Sequence, residues 1–237
     1  MSRFFFWVFF ILLAPTFGVA CTDTVFQQIL AASSHRQNLA KVTAKETVVR
    51  LAKVNNLSLA VRKAEPDEGL GAYVQYRNGR NKTSAIKLHE DILTSDSVAS
   101  VAIAAHEVGH AMTHKEYADL NIFQRSFTPS VTSAFYVALW ISLAALASRK
   151  TRSYRNISLL VAINTLFLFT LGSFFQTLEE ANASIAGLAS LQREHILTAE
   201  EMPEARLVLL AAGSTYASTM VVYGITLGGL IVLSRNS

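Results

Sequence analysis

The chain of 237 residues predicts a mainly α-helical membrane protein: a small α+β domain with an HExxH helix, plus about four transmembrane helices. Three observations carry this. Four apolar segments, at 4–20, 131–148, 157–176 and 207–233, are each close to the ~20 residues that cross a bilayer and hold no Asp, Glu, Lys or Arg. A polar stretch, 22–130, mixes helical and strand periodicity. Within it, His106-Glu107-Val108-Gly109-His110 interrupts an apolar helical run.

Composition agrees. The chain is 51% hydrophobic with a mean hydropathy of +0.32. Its net charge of +4 is dispersed and accompanies no nucleic-acid motif, so the basic balance points to membrane topology rather than a polyanion, and no nucleic-acid partner is expected. Cys21 is the single cysteine, which excludes a disulfide framework and a Cys-based zinc site.

Five regions follow in order. Residues 1–21 form an N-terminal membrane anchor or a signal sequence: Arg3 precedes the apolar core, and Gly18-Val19-Ala20 offers small residues before Cys21. Residues 22–130 form the domain of the HEVGH helix. Thr43 and Glu46 make a capping box that opens a helix reaching about Val54. Residues 72–76 and 83–88 alternate as strands, with Asn78-Gly79 between them in a somewhat long hairpin loop. Asp96 or Ser97 caps the HEVGH helix. Residues 131–176 form a transmembrane hairpin, 177–206 a helix outside the membrane, and 207–237 a last transmembrane helix and tail. The loop between the second and third segments carries Arg149, Lys150, Arg152 and Arg155 with no acid. The positive-inside rule makes it cytoplasmic and places 22–130 and 177–206 on the non-cytoplasmic side of the cell (inner) membrane, as a multi-pass integral protein.

In an HExxH helix the two histidines project from one face about one turn apart and can share one Zn²⁺, while the adjacent Glu faces the metal's water as a base. With six His and twelve Glu in the chain, chance supplies roughly 0.008 such matches. Two core histidines with no metal would leave Glu107 an unexplained carboxylate in an apolar stretch. A catalytic zinc needs a third protein ligand. The elongated motif that ends in a third histidine fails, because Thr113 and Glu116 occupy its Gly and His positions. Two membrane crossings after HEVGH return the chain to the same side at Leu178-Glu179-Glu180-Ala181-Asn182-Ala183-Ser184. Glu180 or Glu179 can then supply the ligand, and Ser184, one turn after Glu180, can orient an imidazole.

In these motifs the chain resembles the membrane-bound neutral zinc metallopeptidases of the YugP type. The resemblance rests on Ala104 to Ala111 with His114-Lys115 after it, on Leu88-His89-Glu90-Asp91, on Glu180 to Ser184 after a two-span hairpin, and on the order of elements. It implies a gluzincin-like peptidase with a zincin-like domain: His106, His110 and Glu180 as the ligands of Zn²⁺, and Glu107 as catalytic base. The expected activity is that of a membrane-anchored zinc metalloendopeptidase acting on a peptide or protein substrate beside the lipid bilayer. The alternatives are a membrane scaffold or binding protein with a metal-stabilised, inactive site, and a zinc hydrolase of a non-peptide bond. The oligomeric state is left open.

Four further expectations bear on the site and its surroundings. The strand ending at Leu88 offers an edge to an extended substrate. His114 lies about 12 Å along the helix axis from His106, too far to join the same ion. Arg193 and His195 are surface groups. Asn164 bonds a neighbouring helix, and Gly224 with Gly228 forms a small-residue packing face.

Overall fold

The computed structural model describes residues 2–78, 81–114 and 152–235. The segment at 131–148, the basic residues Arg149 and Lys150, and the turn residues Gly79 and Arg80 lie outside them. The described residues are mainly helical, with one three-stranded sheet. In order they form α1 (Ser2–Ser34), α2 (Ala44–Val54), β1 (Leu59–Lys63), β2 (Gly71–Asn78), β3 (Asn81–Leu88), α3 (Glu90–Leu93), α4 (98–114), α5 (Arg152–Arg193) and α6 (Met202–Arg235). They divide into two compact units.

One unit holds α1 up to Asp23, α5 up to Thr177 and α6 from Ser214. Thr22 Oγ1 and Ser218 Oγ lie 2.9 Å apart and link α1 to α6. Two helices are long and apolar enough to cross a membrane, at Leu160–Arg193 and Met202–Gly229. Only 17% of the most apolar window of each is buried inside the protein, whereas a soluble core helix would be mostly buried. The described residues therefore carry two such helices, against the four expected. The segment at 4–20 is helical as part of α1. Two expectations find no partner among the described residues. Asn164 donates to Leu160 O of its own helix at 2.7 Å, and among the described residues no side-chain bond from it to another helix is seen. Among the described residues, a Cβ on Gly224 or Gly228 meets nothing within 4 Å, so no tight helix contact forms there within them.

The other unit holds residues from Thr24 to Tyr117 and from Leu178 to Gly213. Thr43 caps α2 through the capping box with Glu46, and α2 buries Ala44, Val48, Leu51 and Ala52 along one stripe. The sheet order is β1-β3-β2, with β1 parallel and β2 antiparallel to β3. This corrects three readings. β1 falls where no strand was expected. The β2–β3 pairing runs to Asn78 opposite Asn81, leaving only Gly79 and Arg80 between the strands rather than a long loop. β3 is the central strand, so both its edges are taken, and among the described residues the outer edges belong to β1 and β2.

α4 runs through the core, with Val98, Ala99, Val101, Ala102, Ala104, Ala105 and Val108 fully buried against α2, Ile86, Leu88 and Leu191. Ser97 is its cap: its Oγ accepts from Ser100 N at 3.1 Å, while Asp96 pairs with Lys41. Buried Asn38 ties the preceding loop down, accepting from Val42 N and donating to Val42 O. Glu201 does the same for the entry to α6. It is 1% exposed, and its carboxylate accepts from Leu39 N at 2.7 Å and Thr198 N at 2.8 Å. These three hydrogen-bonded tie points at Ser97, Asn38 and Glu201 hold the core helix and its neighbours in register.

Candidate metal centre

The site begins with a helix pair that approaches to backbone contact. The part of α5 in this unit buries Ala183, Gly187, Ser190 and Leu191, spaced by helical turns, and exposes Ala181, Ile185 and Ala189. That stripe faces α4. A Cβ on Gly109 would stand 2.0 Å from Ala183 O, and one on Gly187 would stand 2.5 Å from Ala105 O. No side chain fits at either place. The two glycines therefore set the separation of the helices, and so the distance at which their polar groups meet. Gly187 was not singled out in the sequence. A helix-interior glycine, which costs about 1 kcal/mol against alanine, is the signal it offered.

On this frame His106 Nε2, His110 Nε2 and Glu180 Oε2 converge. The imidazole nitrogens are 3.1 Å apart, and the carboxylate oxygen lies 3.1 Å from His106 and 3.4 Å from His110. A tetrahedral ion bound at about 2.0–2.1 Å spaces its ligands about 3.3–3.4 Å apart. The triangle has the size of one face of such a tetrahedron, and two nitrogens with one carboxylate oxygen are a zinc donor set. The residues therefore fit Zn²⁺. All three side chains are 14–15% exposed, so the donor set is largely but not wholly buried.

The surrounding groups orient these donors. His106 Nδ1 lies 3.0 Å from Ser184 Oγ; with the proton on Nδ1, the serine accepts it and Nε2 presents its lone pair to the triangle. Glu179, the other acid considered, sits on the far side of His110, 3.9 Å from Nδ1, and faces the ring rather than the triangle. Burial works against a charged His110, but the Glu180 carboxylate outweighs it and holds His110 above its ordinary range.

Glu107 is 7% exposed. Burial pushes its carboxyl above the usual range, against the pull of His106 and His110. Strand β2 reaches this carboxylate. His89 N donates to Leu70 O at 3.0 Å, and hydrogen-bonded pairs alternate along an antiparallel ladder. Gly71, Tyr73 and Gln75 therefore turn their amides away from β3, and the Tyr73 N–H meets Glu107. Tyr73 was also not anticipated, because a main-chain contact leaves no mark on residue type. His114 stands apart from the triangle, its ring edge-on to Tyr73 at 5.4 Å. Arg193 is a surface group bonded to Asn55 Oδ1 at 2.9 Å.

Among proteins of known name, the chain is 27% identical over 144 residues to "Putative membrane protease YugP" of Bacillus subtilis (strain 168). The match covers 58% of this chain and 59% of that protein, so the chain spans less than two thirds of its relative's length. No solved structure matches. The family described as "Putative neutral zinc metallopeptidase" matches residues 7–235, which takes in α4, the sheet and the donor helix α5. By this match, and with a zinc-sized donor triangle shared between the HExxH helix and α5, the chain belongs to that neutral zinc metallopeptidase family.

Proposed function

We propose that the chain is a membrane-anchored zinc endopeptidase, with His106, His110 and Glu180 as ligands and Glu107 as general base. The observation that carries this is the donor triangle of 3.1–3.4 Å edges beside a buried carboxylate on the same helix. When bound, Zn²⁺ supplies a Lewis acid that polarises a carbonyl and acidifies water at an open fourth position.

The chain's own residues do the rest. Glu107 accepts the proton of the attacking water and later returns it to the departing amine. Its burial favours both halves of that task, since a carboxyl raised above the usual range holds a proton more readily than an exposed one. Ser184 holds His106 with Nε2 toward the triangle. β2 carries the free sheet edge on the side of Glu107, so an extended peptide laid beside it comes to the base. The substrate class is a peptide or protein. The setting is a multi-pass protein of the cell membrane, with the catalytic unit on the non-cytoplasmic side. It is supported by the two apolar helices and by the acid-free basic stretch at 149–155.

The decisive variant is Glu107→Gln in the full-length protein. Zinc content should match the parent, and cleavage of an unfolded protein should fall by about 10²–10⁴-fold. Cleavage at the parent rate would show that another group is the base. Metal analysis of Glu180→Ala beside Glu179→Ala tests the third ligand: only the first should lose zinc.

A further inference from the structure

We propose that Gly71 is a positioning residue for the catalytic base: its missing side chain is the space in which strand β2 seats the Glu107 carboxylate. This rests on the reading of Glu107 as base. Three observations carry it. A Cβ built on Gly71 would lie 3.1 Å from Glu107 Oε1 and 3.2 Å from its Cγ. Contacts that close are rare for real Cβ atoms, so the carboxylate would have to move by a few tenths of an ångström. Glu107 has little room to do so, since it is 7% exposed on a helix packed against Ala183 and Leu88. The ladder register turns the Tyr73 N–H, two residues along the same strand, toward that carboxylate, so β2 holds it by a donor as well as by shape. The strand that lies along the substrate path thus also sets the aim of the base.

One competing route must be separated. The same Cβ would stand 3.0 Å from Leu88 Cδ2, a fully buried side chain on β3. The test is therefore a set of variants in the full-length protein in detergent, with a quenched-fluorescent unfolded casein as substrate. Gly71→Ala should keep the parent's zinc content, lower kcat on the order of tenfold and leave KM within about twofold, because misplacing a reacting group by 1 Å can cost about 10²-fold. In the metal-free protein, Gly71→Ala should lower Tm by about 3 °C or more. That loss should shrink when Glu107 is also changed to Ala, and it should persist when Leu88 is changed to Val.

Parent-like kcat in Gly71→Ala would overturn the proposal. So would a Tm loss that simply adds to that of Glu107→Ala, or a kcat restored by Leu88→Val. If Glu107→Gln cleaves like the parent, the base assignment fails by itself. The metal-free melting cycle still decides whether residues 71 and 107 compete for one space.

Discussion

Two pairs of glycines sit in helices of this protein, and they behave oppositely. Gly109 and Gly187 lie where two helices touch backbone to backbone, and a methyl group at either would collide with a carbonyl. Gly224 and Gly228 carry the more familiar small-xxx-small spacing, yet among the described residues a methyl group at either meets nothing within 4 Å. A spacing pattern shows that a close approach is possible. Only a partner surface makes it real, and for the first pair that partner is the other half of the metal centre. The site depends less on the three donors alone than on the helix separation that brings them together.

The sharpest way to break the first pair is Gly109→Ala. It forces α4 away from Ala183 O, and with it both histidines from Glu180. Overpacking alone costs about 1–3 kcal/mol; here the displaced atoms are backbone, so Tm should fall and bound zinc should drop well below one equivalent. Gly187→Ala should do the same to a smaller degree. Retention of full zinc by both would show that the helices slide without cost. Next in size is Ser184→Ala, which leaves the helices in place but removes the partner of His106 Nδ1. Zinc affinity should weaken about 10–100-fold in a chelator competition.

Acid should have a graded effect at the same centre. His110 is held above its ordinary range by Glu180, against the cost of burial, so the metal-free protein keeps that proton to higher pH than a free imidazole does. The resulting ion pair stabilises the metal-free fold below the unfolded value and is lost as pH rises through the raised one. Zinc must displace the proton, so its affinity should rise with pH, by about tenfold per unit where one proton is released. An affinity flat across the histidine range would remove His110 from the ligand set. The smallest effect belongs to the second glycine pair: Gly224→Ala and Gly228→Ala should leave zinc and activity unchanged and shift Tm by no more than about 2 °C.

The same contrast explains what the sequence could reveal. The choice of Glu180 over Glu179 rests on the family resemblance, whereas the HEVGH spacing, the Thr43–Glu46 capping box and the return of residues 178–184 to the HEVGH side rest on local periodicity or on counting membrane crossings. The latter three are readable from residue types. The cap of α4 was narrowed to two residues, and hydrogen bonding selects Ser97 over Asp96. The sheet was only half legible. β2 and β3 are joined by two residues and alternate clearly, whereas β1 is five residues long and pairs in parallel across a gap in sequence, a non-local contact that no short pattern encodes. That missing strand is why β3 read as an edge. Gly187 and the Tyr73 amide escaped for a related reason. One acts through the absence of a side chain and the other through the main chain, so neither appears as a chemical group.

The donor triangle also fixes an order of events during synthesis. His110 and Glu180 are separated by seventy positions, and the stretch between them contains the proposed transmembrane hairpin. A growing chain that has exposed only the HEVGH helix offers two donors and a loose grip on zinc. The third, Glu180, arrives only after seventy further residues have been made and α5 has packed on α4. A chain still being made, or cut short before Glu180, therefore lacks the full donor set, and covalent order alone sets when the grip can close.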